Sequence, residues 1–494
     1  MKIVWRKEWV NEYESPWSVF EKLSLVNLVE RNEILKVFGI PKVKNIKQNI
    51  GDYHRNLLLL NGFDLQKLHQ ALDFNLLEHN KNTIHALIAP FHALYSSRSH
   101  WFHEKLLWCP KCMERGFHSW LHQFKLLDKC AFHNLNLVKS CPDCNETIPF
   151  LLSNKQLGYA FKCKCGFTIA SFNISSWNEW TAPEQIDQAI LEWIRSNMYQ
   201  LDVQPRWIVH EQHCSLKLLI KAEPKETKHI ESIESLYQND YYSQRFQQIM
   251  LRNCLQTFRQ VEDKLLKNLL RKHQHCITQL MELRKMNDIA EFPEICPYAY
   301  AYVFWRKALL KKEYFYDENG KGDSSEEVPL LIEEHLEYFS EQIVSLQMKT
   351  QKCIDTKILF WILEKIIIQF SENFFNAWLE IAGERSKKIS APSWNEINEM
   401  RNRSFPIIAF KYNFIEKSSS SCVEYHHLEN EEMPTYKYVC PYQHENAIRN
   451  TYTMKSYTPQ AVAILIRGDK DVKNKTLQKS VDAYVKKLSF FNTR

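Results

Sequence analysis

Apolar residues recur three and four positions apart through much of the chain, the spacing of helices that bury one face. Near the start, Trp17, Val19, Phe20, Leu23 and Leu25 follow Glu14-Ser15-Pro16. Ser15 can cap that helix, and Pro16 suits its first position, where no amide hydrogen is needed. A second short helix is predicted over residues 33–38, after Asn32 and before Gly39. Two short helices on a tight link match a helix-turn-helix, and equally an ordinary pair in a bundle. An amphipathic helix is predicted over 64–78, and Pro90-Phe91 opens the segment leading to Cys109. Further on, 181–198 reads as a helix beginning with Pro183, 205–226 as a connector, and 241–285 as a long helix broken by Pro293 and Pro297. Residues 298–315, with Trp305-Arg306-Lys307, resume a basic aromatic helix, and 354–383 form an amphipathic helix ending in Gly383. The segment from Asp317 to Pro329 is polar, carries two glycines and reads as a linker; Ser418-Ser-Ser-Ser421 marks another loop.

Composition supports the helical reading. Gly is scarce, at ten of 494 residues, and Leu, Lys, Glu, Gln and Ile are abundant. The expected fold class is mainly α and multi-domain: an N-terminal helix-turn-helix-like region at 1–100, a double zinc-binding module at 101–176, a basic helical domain at 177–316 and a C-terminal helical domain at 330–494. The most apolar run, near Ile358 to Ile368, is interrupted by Glu364 and Lys365, so no membrane span is expected. Charges fall early in Met1-Lys-Ile-Val-Trp-Arg-Lys-Glu, where a signal peptide needs its apolar core, which points to a cytoplasmic protein.

Net charge is +6, too mild to prove a polyanionic partner, but its distribution is uneven. Nine basic residues stand against three acidic ones from Arg245 to Lys285, and eight against three from Arg467 to Arg494. Arg245, Arg252 and Arg259 recur every seven residues and so share a helical face, with Lys267, Arg271 and Lys272 following. Such a face can bind phosphates or simply be solvated.

Candidate chemistry is concentrated in the cysteines. Seven of the fourteen lie between Cys109 and Cys165, written Cys109-Pro-Lys-Cys112, Cys130-Ala-Phe-His133, Cys141-Pro-Asp-Cys144 and Cys163-Lys-Cys165-Gly166. A tetrahedral zinc ion needs four thiolate or imidazole donors, and pairs on tight turns supply two each. The simplest grouping sets Cys109, Cys112, Cys130 and His133 on one ion and Cys141, Cys144, Cys163 and Cys165 on another, as closed structural sites. His118 and His122 compete for the fourth position of the first site, and the half-sites can also pair in interleaved order. A disulfide framework would need an oxidising compartment. Between Glu104 and Cys165, nine Lys and Arg stand against five Asp and Glu. Two divalent ions with seven thiolates subtract about three charges, leaving about +1, so the module suits fixing geometry better than binding phosphate.

The other cysteines, Cys214, Cys254, Cys276, Cys296, Cys353, Cys422 and Cys440, look scattered and read mostly as small buried hydrophobes. One further constellation, Cys422, His426 and His427 followed by Cys440 and His444, has intervals that can serve a third metal, or else buried thiols beside surface histidines. No local signature of an enzyme appears. His103-Glu104 and His444-Glu445 do not continue as zinc-hydrolase motifs, the deaminase order is missing, and Gly320-Lys321-Gly322 lacks the rest of a phosphate loop.

Glu14-Ser15-x-x-Ser18, Leu107-Trp108-Cys109-Pro-x-Cys112, His118-Ser-Trp120, Cys130-x-x-His133-x-x-x-Leu137, Cys141-Pro-x-Cys144 and Cys163-x-Cys165-Gly166 together resemble the TniQ/TnsD family, the target-site selectors of bacterial cut-and-paste transposons. The resemblance covers roughly residues 14–170, and the length of the whole chain is similar to that of the longer, TnsD-like members, which carry an extended helical C-terminal half. It implies a non-enzymatic, nucleoid-associated adaptor that binds double-stranded DNA at an attachment site. Such an adaptor recruits an AAA+ ATPase regulator and, through it, the transposase. The eight zinc ligands named above match the family's metal positions. Rival readings are a zinc-containing transcription regulator, a protein-only scaffold, and the shorter family type that docks on an RNA-guided complex.

Overall fold

In the computed structural model the chain is mainly helical, with one four-stranded and one two-stranded sheet among the described residues. The structure describes residues 3–44, 57–91, 101–170, 180–181, 185–198, 206–210, 214–229, 235–236, 241–273, 276, 296–309, 333–350, 354–385, 394–413, 422–428 and 438–440. Asp317 to Pro329 and Ser418 to Ser421 lie outside these residues. Two compact units divide the chain: Met1–His229 with Ala409–Leu428, and Ile230–Ile408 with Glu429–Arg494. Among the described residues, no helix is long and apolar enough to cross a membrane.

In the first unit, helix α1 (Pro16–Asn27) begins where Ser15 is extended and Pro16 takes the first turn. Ser15 holds the capping backbone conformation, but its hydroxyl is not a cap; it is used elsewhere, as described below. Helix α2 (Arg31–Phe38) starts two residues earlier than its spacing predicts and stops at Gly39. A Cβ on Gly39 would lie 2.4 Å from the Leu35 carbonyl oxygen, so only glycine fits there. The predicted helix at 64–78 is really two. Helix α3 (Leu65–Leu72) is capped by Asp64, and helix α4 (Leu76–Ile88) by Asn75, each side chain accepting a hydrogen bond from an amide three residues on. Asp73, left-handed at φ 47°, separates them.

The sides of α1 do not divide into a wet and a dry face: every residue from Pro16 to Ser24 is buried, including Glu21 and Lys22. These charges survive burial because each is paired. Lys22 Nζ lies 2.7 Å from Glu14 Oε1, both side chains being fully buried, and also donates to the Trp9 carbonyl at 2.8 Å. Glu14 further accepts from the Ser18 hydroxyl and the Asn11 amide, at 2.8 and 2.9 Å. Glu21 pairs with Arg31 of α2, equally buried. Desolvation, only partly opposed by Glu14, lowers the Lys22 pKa.

Helix α5 (Gln188–Met198) begins later than its predicted start, because the Asp187 carboxylate accepts from the amides of Ala189 and Ile190 and caps it there. The predicted connector at 205–226 holds strand β1 (Arg206–Val209) and helix α6 (Leu216–Lys221), and is followed by β2 (Glu226–His229). These strands join β5 (Ile408–Asn413) and β6 (Cys422–His427) in an antiparallel sheet of order β1-β5-β6-β2, with Trp207 opposite Lys411 and Thr227 opposite Glu424. Part of the region expected to be a C-terminal helical domain is therefore sheet. Ala409, Phe410 and Tyr412 are buried between its partners.

The second unit is organised by α10 (Thr356–Arg385), preceded by a short pair of strands, β3 (Ser235–Leu236) and β4 (Ile354–Asp355). Asp355 accepts from the Lys357 and Ile358 amides and so starts the helix. The apolar residues of α10 surround it rather than forming one stripe, because α7 (Gln244–Asn268), α8 (Pro297–Leu309), α9 (Glu333–Thr350) and α11 (Trp394–Ser404) all pack against it. Gly383 is not its end but lies two residues inside it. Helix α8 is core rather than a basic face: Tyr300, Tyr302, Phe304 and Trp305 are buried, and Arg306 pairs with Glu262 of α7 at 3.1 Å.

Replacing Lys22 with Met should strand the buried Glu14 charge and cost about 3–5 kcal/mol in a denaturant titration. Adding Glu14→Gln should recover much of that loss. A single variant as stable as wild type would show that the pair contributes nothing.

Candidate metal centres

The first cluster is built from two turns and their support. Cys109 is the residue before a short helical turn, Pro110–Met113, where Pro110 takes the first position. The chain then reverses at Gly116, φ 61°, so that the Phe117 amide bonds the Cys112 carbonyl at 3.1 Å. Cys130 opens a tighter knuckle: its carbonyl accepts from Asn134, left-handed at φ 55°, and its amide donates to Leu135 at 2.8 Å. The Asp187 amide donates to Ala131 inside this knuckle, and Lys217 bridges Asp187 and Asn134, so α5 and α6 hold it from outside.

These turns bring Cys109, Cys112, Cys130 and His133 together with all four ligand atoms within 4.8 Å of one another. Tetrahedral zinc places sulfurs ~3.8 Å apart and sulfur and nitrogen ~3.6 Å apart. Here Cys112 and Cys130 Sγ are 3.6 Å apart, and His133 Nδ1 lies 3.6, 3.2 and 3.7 Å from the sulfurs of Cys109, Cys112 and Cys130. The donor set and the spacing fit zinc. Leu107, Phe117, Leu137 and Phe132 pack around it.

The two rival histidines have other work. His118 is fully buried; its Nε2 donates to the Leu107 carbonyl at 2.8 Å, which leaves Nδ1 to accept from the Ser15 hydroxyl at 2.7 Å. His122 Nδ1 accepts from the Ser119 amide, which can only donate, so in the neutral ring the proton sits on Nε2. Burial pushes His122 down to about 4, keeping it neutral. Its Nε2–H faces the sulfurs of Cys130 and Cys112 at 3.4 and 3.6 Å and donates to them. His122 is thus an outer partner that orients the sulfurs, as the Phe132 amide does for Cys130 at 3.4 Å.

The second cluster unites Cys141, Cys144, Cys163 and Cys165 within the same 4.8 Å. Cys141 repeats the Cys130 knuckle, with Asn145 left-handed at φ 56° and an amide bond to Glu146. The other half turns at Gly166, φ 107°, a conformation that L side chains rarely adopt. Cys141 and Cys165 Sγ are 3.6 Å apart, and Cys144 and Cys163 Sγ 3.7 Å. Cys165 is exposed and Cys144 half-buried, so this site lies nearer the surface than the first. The half-sites pair in sequence order, not interleaved.

Without a cation, such thiols resist ionising together. The hydrogen-bonded Cys109 thiol, with burial, pushes Cys130 up to about 11, and burial pushes Cys163 up to about 12. A bound divalent ion reverses that preference, because it supplies the compensating charge.

The segments beside both clusters are fastened to α1, the residues just before it and α2. The Ser15 amide donates to the His118 carbonyl at 2.8 Å, and the Ser119 hydroxyl to the Tyr13 carbonyl at 2.7 Å. Near the second cluster, the Phe161 amide donates to Glu21 at 2.7 Å, and Arg31 to the Tyr159 carbonyl at 3.0 Å.

A third cluster escaped the sequence reading. His273, Cys276, Cys296 and Cys440, all buried, also lie within 4.8 Å of one another by their ligand atoms and can hold a metal. Three of the cysteines expected to be scattered therefore converge, while Cys214 and Cys254 remain buried thiols whose burial raises their pKa, that of Cys254 to about 12. Cys440, which the sequence left open between a metal site with Cys422, His426 and His427 and a plain buried thiol, belongs to this third cluster, while His426, on β6, is buried, packs on Trp207 and contacts Glu424. His444 and Cys353 fall outside the described residues. The only local signal was His273-x-x-Cys276, too short without its distant partners.

The basic residues Arg245, Arg252, Arg259 and Lys267 are exposed on α7, and Arg271 and Lys272 on the turn that follows it. No protein-family model matches the chain, and no curated protein matches it.

Replacing His133 with Ala should remove one zinc equivalent from the purified protein. His122→Ala should keep the stoichiometry and weaken retention about 10- to 100-fold in chelator competition. Loss of a full equivalent in the His122 variant alone would exchange the two roles.

Proposed function

We propose that this chain is a zinc-dependent, non-enzymatic DNA-binding adaptor that selects the insertion site of a bacterial cut-and-paste transposon. In that role it binds double-stranded DNA, recruits an AAA+ ATPase regulator and, through it, the transposase, in the bacterial cytoplasm at the nucleoid. The observation that carries this reading is the sequential pairing of the half-sites: Cys109, Cys112, Cys130 and His133 in one cluster, Cys141, Cys144, Cys163 and Cys165 in the other. We assign one structural zinc ion to each. The motif residues that accompany the cysteines in the TniQ/TnsD resemblance support it further, since Glu14, Ser15, Ser18 and His118 form one buried hydrogen-bonded network.

A division of labour follows. The zinc module holds shape, since it carries little net charge once its thiolates are counted. Phosphate contact falls to exposed cations, of which Arg245, Arg252 and Arg259 form the most regular series. Seven residues of helix rise about 10.5 Å, close to the ~10.2 Å of three base-pair steps. Lys267, Arg271 and Lys272 extend the same basic stretch.

Footprinting on DNA flanking the element tests the reading directly, with protection of one attachment site expected. Changing Arg245, Arg252 and Arg259 together to Glu should weaken binding and flatten the slope of log affinity against log salt by about 2–3. An unchanged slope would leave this face merely solvated. Cys109→Ser or Cys144→Ser should unfold the module and abolish site selection, so wild-type footprints from both would remove zinc from the account.

A further inference from the structure

We propose that His273, Cys276, Cys296 and Cys440 bind a third zinc ion, which ties three distant stretches of the second unit into one structure. The inference is independent of the DNA-binding reading.

The four donors come from places that only folding brings together. His273 closes the 3-10 turn Arg271–His273 after α7, and Cys276 follows within three residues, a half-site spacing like that of Cys130 and His133. Cys296 stands immediately before α8, which opens with Pro297, and the Cys296 carbonyl accepts from the Tyr300 amide. Cys440 is 164 residues from Cys276, yet their sulfurs are 3.6 Å apart. Cys296 Sγ lies 3.5 Å from His273 Nδ1. These distances match the ~3.8 and ~3.6 Å edges of a zinc tetrahedron with three sulfurs and one nitrogen.

The surroundings hold the donors in place. The imidazole of His273 stacks on Tyr298, with ring centres 4.2 Å apart and planes 17° from parallel, so its ring is oriented by an aromatic face. The segment carrying Cys440 is seated on α10 at Gly383, where an added Cβ would come 2.2 Å from the Tyr438 ring. Gly383 is thus the gap that admits Tyr438, two residues ahead of the ligand. All four ligand residues are buried, which leaves no open coordination position facing solvent and marks the site as structural.

Two simpler uses of these side chains explain less. Isolated buried thiols have no reason to point at one another and at an imidazole from three separate segments. A disulfide between Cys276 and Cys440 would use two sulfurs and leave Cys296 and His273 facing each other without purpose. A metal uses all four. A bound metal would add stability by cross-linking ligands far apart in the chain, which restricts the unfolded state.

Metal content of the full-length protein, purified with a phosphine reductant, decides the matter. Wild type should hold three zinc ions per chain and C276S/C440S two, with C109S/C112S and C141S/C144S each losing a different one. Because a serine variant can fail to fold, alkylation of the wild-type protein with peptide mapping is the second measurement. Cys276, Cys296 and Cys440 should react only after a strong chelator is added. Two zinc ions in wild type, three retained by C276S/C440S, or identical alkylation of these cysteines before and after chelation would overturn the proposal.

Discussion

Sulfur donors aimed at one point are the constraint on which the first unit depends. As packing, a buried thiol is a small hydrophobe worth about 1 kcal/mol or less. As coordination, a closed set of four is worth about 10–16 kcal/mol in small zinc domains. Metal bound by these donors would explain why residues 101–170 have so little regular structure. They contain two four-residue helices and isolated strand bridges such as Trp108 with Val138 and Lys105 with Pro149. Left-handed Asn134 and Asn145, with Gly116 and Gly166, make the reversals that aim the sulfurs.

The second constraint is electrostatic. Glu14, Lys22, Glu21 and Arg31 are essentially excluded from water, and each finds an opposite charge or backbone partners. Buried pairs of this kind contribute less to stability than an apolar core of the same volume, but an unpaired member is severely penalised. The arrangement therefore favours one register of α1 against the zinc-ligand segments. Ser15, Ser18 and His118 extend the same logic with uncharged groups, every polar atom finding a specified partner.

For the proposed role, rigidity and charge are supplied by different parts. In that reading coordination and the buried network would define shape, while the arginines of α7 lie exposed on a 25-residue helix. A DNA-binding adaptor needs both, since phosphate contacts give affinity without choice, and choice requires side chains held in fixed positions. The second unit obtains its own rigidity from α10, around which helices pack on several sides with the rings of Phe304 and Trp378 stacked 5.7 Å apart.

Much of this was legible in sequence where the signal was local. Cys-x-x-Cys and Cys-x-x-His intervals announced both N-terminal clusters, because a half-site is a single turn. Ser15-Pro16 announced the start of α1, and the seven-residue spacing of Arg245, Arg252 and Arg259 placed them on one helix. What stayed hidden depended on partners far along the chain. The choice of His133 over His122 rests on a tautomer set by the Ser119 amide. The split at Asp73 depends on one left-handed residue, and the β5 and β6 strands are explained only by their neighbours β1 and β2. Cys276, Cys296 and Cys440 look unrelated until tertiary packing brings them together. Sequence by itself determined the turns, caps and donor pairs, because those are written within a few residues. Only the tertiary structure decided which donors share a centre and which charges may be buried, because both are settled by contacts between segments that the chain order keeps apart.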